Sequence, residues 1–245
     1  RSDRPGGLFV YEGVDDTWER TASIEPPAES DLVGYWVAAS DDRIATRDYR
    51  FTGSPRVLVY ERTPEGWEFA QAIETPDGLD LDDFFGIGLA MDGQWLAIGA
   101  YRDDSLVTIG GSVRLYRLGP DGLYEPFQDI IGVEEGGQLG VSMAIDGDDL
   151  FVGALSADRQ EDGQGVVHHY RFDGSAWMQV DELVASSPRL GAQFGIEMSL
   201  NEDTLIVGAH LDVSGGRRTG IAYVFEPDPA GRWRQIARLA PESPF

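Results

Sequence analysis

The sequence predicts an all-β fold, namely a β-propeller built from four-stranded antiparallel blades. Three observations support this prediction. Short motifs recur at a nearly constant spacing along the 245 residues, and each copy contains four short β-type runs separated by turn residues. No segment shows both the cap and the 3.6-residue period of an amphipathic helix. The copies predict four full repeats, preceded by the outer half of another.

The first two landmarks of the repeat are glycine pairs. One opens an apolar run, at Val33-Gly34, Phe85-Gly86, Leu139-Gly140 and Phe194-Gly195. Its glycines are 52, 54 and 55 residues apart. The other closes the next apolar run, at Gly99-Ala100, Gly153-Ala154 and Gly208-Ala209. The first copy has Thr46-Arg47 in place of this second pair.

Two aromatic landmarks share the same period. One lies in a β-rich run, at Tyr11, Tyr60, Tyr116, Tyr170 and Phe225. The other follows a glycine-containing turn, at Trp18, Trp67, Tyr124, Trp177 and Trp233. Each aromatic landmark occurs five times, whereas the glycine pairs occur four and three times. The additional aromatic copy, at the N-terminal end, is therefore interpreted as the outer half of a repeat.

Within each copy the pattern predicts four strands. The first strand ends at a tight turn such as Asp92-Gly93, whose residues tolerate the backbone conformation of a hairpin. The second strand is nearly all apolar, as expected for a strand buried on both faces. The chain is therefore predicted to be a single propeller domain or a segment of one. It is divided into a half repeat, 1–31, and the repeats 32–83, 84–137, 138–192 and 193–245.

Both glycine pairs have a structural interpretation. A single four-stranded sheet cannot bury both of its faces, whereas blades arranged radially bury them against one another. We expect the glycine of the first pair to let the innermost strands crowd near the central axis. We expect the small Gly-Ala pair to let the next loop turn over the blade rim. Neither pair is predicted to be catalytic.

At these residues the chain resembles a known repeat family. The segments 85–100 and 194–209 are similar to the bacterial form of the FG-GAP repeat, which is typified by the propeller of the integrin α-subunit head. The resemblance covers nearly the whole chain, although the first copy lacks both Phe and Gly-Ala. It implies a propeller of similar blades that is usually extracellular and usually recognises a partner rather than catalysing a reaction.

The resemblance also raises the question of calcium, which integrin-type repeats often hold in the first hairpin. The matching turns, 91–94, 145–149 and 200–203, are too short to supply the roughly six to eight oxygen ligands of Ca²⁺. An acidic loop before Phe85 offers the only candidates, Asp77, Asp80, Asp82 and Asp83. A solvated loop is the alternative interpretation. We therefore expect that folding needs neither a metal nor another cofactor.

Composition excludes several partner classes. The net charge is −24, all basic residues are Arg, and a surface this negative repels nucleic acid and anionic lipid. No apolar run approaches the roughly 18 residues that span a bilayer, so direct membrane insertion is not expected. The chain has no Cys and begins with Arg1, and its outer half repeat lacks inner strands. We expect it to be part of a longer chain.

No catalytic constellation stands out. The three histidines are His168, His169 and His210. The first two are adjacent in a predicted strand, so they point to opposite faces and cannot share one metal. No Ser lies in a Gly-x-Ser-x-Gly turn, and the glycine-rich loops do not lead into helices, as phosphate-binding loops do. The sequence therefore predicts no catalytic residues, and the chain is not expected to be an enzyme.

The most informative positions lie in the long polar loops between the second and third strands, 101–111, 155–165 and 210–220. We expect these loops to emerge on one face together with the connections between repeats, where binding usually resides. The candidate contacts are Asp103, Asp104, Asp158, Glu161, Asp162, Asp212, Arg217 and Arg218. They predict a binding or assembly module for a protein or glycan, and the resemblance implies that this module is secreted or lies on the cell surface. An enzyme that uses the central pocket, for example on a sugar, and a purely architectural domain remain alternatives.

Overall fold

The computed structural model describes residues 6–51, 53–214 and 216–241. Within these residues every regular element is a β-strand except one turn of 3₁₀ helix, Leu81–Asp83, so the all-β prediction is confirmed. The first two strands, β1 (Leu8–Val14) and β2 (Thr17–Ile24), form a two-stranded antiparallel sheet. This sheet is the predicted outer half of a repeat, and we call it the half-blade.

Four antiparallel sheets follow, blades 1 to 4, in which the strands pair in chain order. Blade 1 contains β3 (Leu32–Ser40), β4 (Arg43–Tyr49), β5 (Arg56–Thr63) and β6 (Gly66–Glu74). Blade 2 contains β7 (Leu89–Asp92), β8 (Trp95–Ala100), β9 (Ser112–Leu118) and β10 (Tyr124–Ile131). Blade 3 contains β11 (Leu139–Asp146), β12 (Asp149–Ala154), β13 (Val166–Phe172) and β14 (Trp177–Leu183). Blade 4 contains β15 (Phe194–Asn201), β16 (Thr204–Ala209), β19 (Ile221–Pro227) and β20 (Trp233–Leu239), with the hairpin of β17 (Val213–Ser214) and β18 (Arg217–Arg218) between β16 and β19.

The blades pack face to face, and each apolar core lies between two consecutive units. The core between blades 2 and 3, for example, joins Trp95 and Ala97 of β8 to Leu150 and Val152 of β12. We call the face of a unit that meets the following unit its trailing face, and the face that meets the preceding unit its leading face. Because β8 supplies buried side chains to both faces, all six of its residues are buried, as the apolar pattern predicted.

The first strands of the four blades, β3, β7, β11 and β15, lie around a common axial channel. This arrangement of four-stranded blades about one axis is a β-propeller, which confirms the predicted fold class. The long loops and the connections between blades lie at one end of the channel, and the tight hairpins of the first two strands lie at the other.

The two glycine pairs meet across the boundary between blades. A Cβ added at Gly99 would lie 2.0 Å from the carbonyl oxygen of Gly140, and one added at Gly153 would lie 2.2 Å from that of Gly195. Gly140 and Gly195 themselves have φ values of 90° and 92°, which favour glycine. The expected crowding of the inner strands is therefore present. The Gly-Ala pair, however, is small because the next blade's backbone lies against its glycine, and not because the following loop must turn.

Hydrogen bonds repeat across the same boundaries. In blades 1 to 3, the last residue of the first strand accepts a bond from a backbone N–H in the next blade's hairpin. Asp92 accepts from Gly147 at 2.8 Å, and Asp146 accepts from Glu202 at 2.9 Å. These bonds fix the rotation of each blade against its neighbour, in addition to the apolar contacts.

Blade 1 lacks the Gly-Ala pair and replaces its packing with polar contacts. The Thr46 hydroxyl accepts a bond from the Gly34 N–H and donates one to the carbonyl of Trp36. The Arg47 guanidinium donates to the carbonyl of Phe85 at 2.7 Å and lies over the rings of Trp36 and Tyr49. Burial lowers the pKa of Arg47, which is typical of a charge held inside a packed boundary.

Among the described residues, no helix has the length and apolar character needed to cross a membrane.

Candidate functional site

The long loops form one continuous surface with the connections between blades, the loop face. Gly136, Gln138 and Leu139 donate backbone bonds to loop 101–111. Gly191 donates to the carbonyl of Asp162 in loop 155–165 at 2.9 Å. The loops of blades 2 and 3 are therefore held against the connection that follows their own blade, whereas Leu211 in the loop of blade 4 donates to the carbonyl of Ala192 in the connection before that blade. The loop face is consequently a hydrogen-bonded surface on a rigid scaffold, which suits recognition.

Two of the predicted contact residues lie inside this surface instead of on it. Asp103 and Asp212 are buried at the same position of the repeat, three residues after Gly-Ala. The Asp103 carboxylate accepts from the Ser105 N–H and from Arg114, at 2.8 and 3.2 Å. The Asp212 carboxylate accepts from the Val213 N–H and from the hydroxyl of Tyr223. Both side chains hold their loops in shape and are not available to a partner.

Sequence alone contained a signal for this role. Asp103 and Asp212 occupy equivalent positions in two different loops, and the third loop has a buried alanine, Ala157, at that position. A residue that recurs at a fixed place in a repeat is more often part of the scaffold than part of a variable binding surface.

The other predicted contact residues are exposed on the loop face. They are Asp104, Asp158, Glu161, Asp162, Arg217 and Arg218. Of these, Asp158 also has an internal role, because its carboxylate accepts from the Gly163 N–H at 2.5 Å. The buried side chain of Gln164 holds the same loop by accepting from the N–H groups of Gln160 and Glu161. The exposed acidic side chains are thus carried by backbone that is already ordered.

A cleft of 180 Å³ opens between blades 2 and 3 at the edge of the loop face. Glu182 is one of the residues that line it. Arg159 donates to both of its carboxylate oxygens at 2.8 and 2.9 Å, and His168 lies 3.2 Å from it. Arg159 also pairs with Glu134 across the blade boundary at 2.9 Å. Tyr170 completes the wall.

The protonation states in this cleft follow from its contacts. The hydrogen bond from Arg159 lowers the pKa of Glu182, which therefore stays ionised. Burial lowers the pKa of His168 below its ordinary value, although the charge of Glu182 opposes this shift. Sequence reasoning treated His168 only as a possible metal ligand and missed the cleft. The register would have revealed one contact, because His168 and Glu182 are direct cross-strand partners.

The remaining histidines lie elsewhere. His169 points to the opposite face of its strand, where its ring stacks on Phe151 and its Nε2 lies 2.6 Å from Asp149. His210 is exposed on the loop face. In the described part of the chain, no three His, Asp or Glu residues are arranged to hold a metal ion.

The four calcium candidates divide into two pairs. Asp80 and Asp83 cap the 3₁₀ turn, where the Asp80 side chain accepts from the Asp82 N–H and the Asp83 side chain accepts from the Asp80 N–H. Asp77 and Asp82 are exposed. Burial raises the pKa of Asp83, and nearby carboxylates, including that of Asp103, raise it further.

The axial channel has a volume of 320 Å³, and most of the side chains that line it are apolar. Its walls include Trp36, Leu89 and Met143. The polar side chains at its wall among the described residues are Ser142, which donates to the carbonyl of Gly195, and Glu197. Burial raises the pKa of Glu197. The channel thus presents one ionisable group and no convergent set of acid, base and nucleophile.

Comparison with known proteins identifies the repeat. A family model described as "FG-GAP repeat" matches residues 67–116 and 177–225. Each match runs from the fourth strand of one blade to the third strand of the next, so it crosses a blade boundary and includes both glycine pairs. No curated protein matches the sequence.

The solved structures similar to this chain include three sugar-lactonase propellers. One is a proposed 6-phosphogluconolactonase from Bacteroides uniformis, with a TM-score of 0.61 and 11% identity over 97% of this chain and 66% of that one. A proposed 6-phosphogluconolactonase from Bacteroides fragilis has a TM-score of 0.55 and 12% identity over 95% of this chain and 63% of that one. The periplasmic gluconolactonase of Pseudomonas aeruginosa has a TM-score of 0.52 and 12% identity over 95% of this chain and 76% of that one.

At such identities these likenesses establish the fold alone. The chain spans slightly less than two thirds of the length of each of the first two structures. The internal repeat, the blades and the two model matches agree: the chain is a β-propeller that contains FG-GAP repeats at residues 67–116 and 177–225.

Proposed function

We propose that the chain is a binding module that recognises a protein or glycan through its loop face. The observation that carries this proposal is that buried polar side chains order the loop face, while its acidic side chains remain exposed. On the loop face, buried Asp103, Asp212 and Gln164 hold the backbone in place and exposed acidic side chains project from it. A surface ordered before binding loses less conformational entropy when a partner binds.

The charge of the loop face favours a basic or cation-bridged partner. Asp104, Glu161 and Asp162 are exposed on it, and the whole chain carries −24. Complementary charge increases the association rate and is screened by salt over about 10 Å at 0.1 M. Arg217 and Arg218 in blade 4 provide a local basic site that would orient a partner of mixed charge. The resemblance to extracellular recognition propellers supports a location on the cell surface or outside the cell.

An enzyme that acts at the axial channel is the second candidate. The printed names of the three similar structures favour it, because all are sugar lactonases or proposed ones. Against it stands the channel itself, whose described lining offers Glu197 as its one ionisable group. Lactone hydrolysis needs both activation of water and stabilisation of an oxyanion, which one carboxylate does not supply. We therefore prefer the binding role.

Charge reversal on the loop face tests the proposal. Basic peptides or glycans that bind the native chain are first selected on arrays. The triple variant Asp104→Lys, Glu161→Lys, Asp162→Lys should bind these ligands at least about tenfold more weakly. At low salt, most of this loss should appear in the association rate. The reason is that three attractive charges become repulsive while the buried residues that hold the loops are unchanged. Binding of the selected ligands is measured by surface plasmon resonance at two salt concentrations.

The matched control reverses three exposed carboxylates in the hairpin turns at the opposite end of the channel, Asp41→Lys, Asp148→Lys and Asp203→Lys. Its net charge is the same as that of the first variant, so it should bind normally if the loop face is the site. Equal losses in the two variants would mean that overall charge, and not the loop face, determines binding. Both variants should keep the melting temperature within a few degrees, because surface changes are usually small.

A further inference from the structure

The cleft between blades 2 and 3 lies where blade 3 departs from the repeat. Two residues before the landmark aromatic, the third strand carries Arg114 in blade 2, His168 in blade 3 and Tyr223 in blade 4. Arg114 pairs with the buried Asp103, and Tyr223 donates to the buried Asp212. In blade 3 an alanine replaces this aspartate, so the histidine has no such partner. A position at which one copy loses a scaffold contact that other copies keep is a candidate for a role of its own.

A second network takes the place of the missing pair. Arg159, from the long loop of blade 3, donates to both oxygens of Glu182 and pairs with Glu134 of the connection after blade 2. The Nδ1 atom of His168 lies 3.2 Å from Glu182 and 3.1 Å from the side-chain amide nitrogen of Gln179. The guanidinium therefore holds both carboxylates in place, and the polar wall of the cleft is ordered before any ligand enters.

Three polar atoms in this wall have no hydrogen-bond partner among the described residues. They are Nε2 of His168, Oε1 of Gln179 and the hydroxyl of Tyr170. Tyr170 and Gln179 are direct cross-strand partners, and His168 lies two residues from Tyr170 on the same face of its strand. Burial lowers the pKa of His168, so its ring is neutral at pH 7 and Nε2 donates or accepts according to the tautomer.

A set of adjacent hydroxyl groups matches these atoms, because a hydroxyl both donates and accepts and rotates to suit its partner. The rest of the wall includes the aliphatic side chains of Ile131, Leu139 and Ala154, which suit the C–H groups of a sugar ring. The volume of 180 Å³ is smaller than the roughly 300–1,000 Å³ of pockets for drug-sized ligands, so the cleft has room for about one ring.

The charge of the cleft favours a neutral ring over an ionised ligand. Two carboxylates, Glu134 and Glu182, face one guanidinium, Arg159, so an anionic sugar would meet net negative charge. An ammonium group would be attracted, but both carboxylates already accept from Arg159. The atoms that remain free belong to neutral groups, which suit hydroxyls.

We propose that the cleft between blades 2 and 3 binds one neutral sugar unit, whose adjacent hydroxyls bond to His168, Gln179 and Tyr170. The proposal rests on the binding role of the loop face and names the class of ligand that is bound at its edge. The unit is either a free sugar or the end of a glycan, because the same contacts serve both.

Titration of the 245-residue chain with neutral methyl glycosides tests the site. The probes are the two anomers of the methyl glycosides of D-glucose, D-galactose, D-mannose and N-acetyl-D-glucosamine. The chain has three histidines, whose ring signals are followed by nuclear magnetic resonance, and His168→Gln identifies the signal of His168. At least one glycoside should bind with a Kd of about 1 mM, as expected for so small a ligand, and should shift this signal but not that of His210.

An oligosaccharide that ends in the same sugar distinguishes the two sources. It should bind as well as the glycoside if the cleft takes the end of a glycan. It should bind at least tenfold more weakly if the cleft encloses a free sugar. Either result, with the same shift of the His168 signal, supports a sugar site.

Tyr170→Phe removes one proposed contact and keeps the packing. The hydroxyl bonds to no described residue, and blade 4 has Phe225 at the same position. The melting temperature should therefore change by less than about 2 °C, and the affinity for the glycoside should fall at least about threefold. Tyr116→Phe is the matched control, because Tyr116 has the same position in blade 2 and does not line the cleft. This control should bind the glycoside normally.

Several results would overturn the proposal. They are the lack of saturable binding by every glycoside well above the expected Kd, binding that leaves the His168 signal unchanged, and equal affinity of Tyr170→Phe and the native chain. Tighter binding of n-butylammonium that Tyr170→Phe weakens would also overturn it, because the site would then take an amine. Basic peptides selected for the loop face report separately on the proposed function, since the glycosides carry no charge and the peptides carry no sugar.

Discussion

Replacing Gly99 or Gly153 with alanine is expected to destabilise the protein by about 3 kcal/mol or more. A methyl group at either site would lie within 2.0 or 2.2 Å of a backbone carbonyl oxygen in the next blade, so the two blades must separate to admit it. Overpacking of this kind commonly costs about 1–3 kcal/mol even where side chains can adjust, and backbone on both sides adjusts less. The melting temperature should fall by roughly 6–12 °C or more.

The same glycine-to-alanine substitution in blade 4 should not destabilise the protein. Gly208 lacks a positive φ and has no neighbour closer than 3.5 Å to an added Cβ. Gly208→Ala should therefore be neutral or should stabilise the 245-residue chain by up to about 1 kcal/mol, since it restricts the unfolded chain. Chemical denaturation of the three variants gives this comparison directly. Similar losses at all three positions would show that the glycines are needed for their own strands and not for contact between blades.

Truncation of Trp177 should be the second severe change. Its ring is 2% exposed and packs against Trp95 and Phe172 in the core between blades 2 and 3. Truncation of so large a buried side chain leaves a cavity. Trp177→Ala should therefore lower the free energy of unfolding by about 3–5 kcal/mol. That loss corresponds to a fall in melting temperature of roughly 6–20 °C.

Trp18→Ala is the matched control, because it removes the same side chain from the same position of the repeat. Trp18 is 75% exposed on the half-blade, so its removal should change the free energy of unfolding by less than about 0.5 kcal/mol. Thermal melts of both variants, followed by near-ultraviolet circular dichroism, make the comparison. Equal destabilisation would mean that Trp18 is buried in solution by a contact absent from the fold described above.

The fold could be predicted from sequence because its determinants are local and repeated. Each repeat by itself contains the spaced Phe-Gly and Gly-Ala pairs and the aromatic residues of the outer strands. Because the same pattern recurs in the neighbouring copies, each copy supports the interpretation of the others. The nearly all-apolar pattern of β8 and β12 also indicated burial on both faces. These patterns sufficed for the strands of the blades, their order and the half-blade at the N-terminal end, but not for the short β17–β18 hairpin inside loop 210–220.

The reason for each glycine was not available from the same patterns. Contact between Gly153 and Gly195 joins residues in different repeats, and its distance depends on how two blades stack. The sequence of a single repeat does not determine that distance. The sequence indicated that glycine was required, and a sharp loop turn and a close approach of backbone were both consistent with it.

The candidate site was predicted only in outline. The loops emerge together as expected, but an acidic residue on a polar loop reads the same in sequence whether it faces solvent or accepts hydrogen bonds from its own loop. Asp103 and Asp104 are adjacent, and only the first is buried. The cleft around Glu182 was missed because Glu134, Arg159 and His168 come from three elements that converge only once the blades pack.

The preference for binding over catalysis is tested most directly by assaying the purified chain for hydrolysis of D-glucono-1,5-lactone, with a pH indicator reporting the acid released. The structure predicts a rate equal to that of buffer alone, because the described lining of the axial channel offers Glu197 as its one ionisable group. Turnover above the buffer rate that Glu197→Gln abolishes, with the fold intact by circular dichroism, would contradict this prediction and place the activity in the channel.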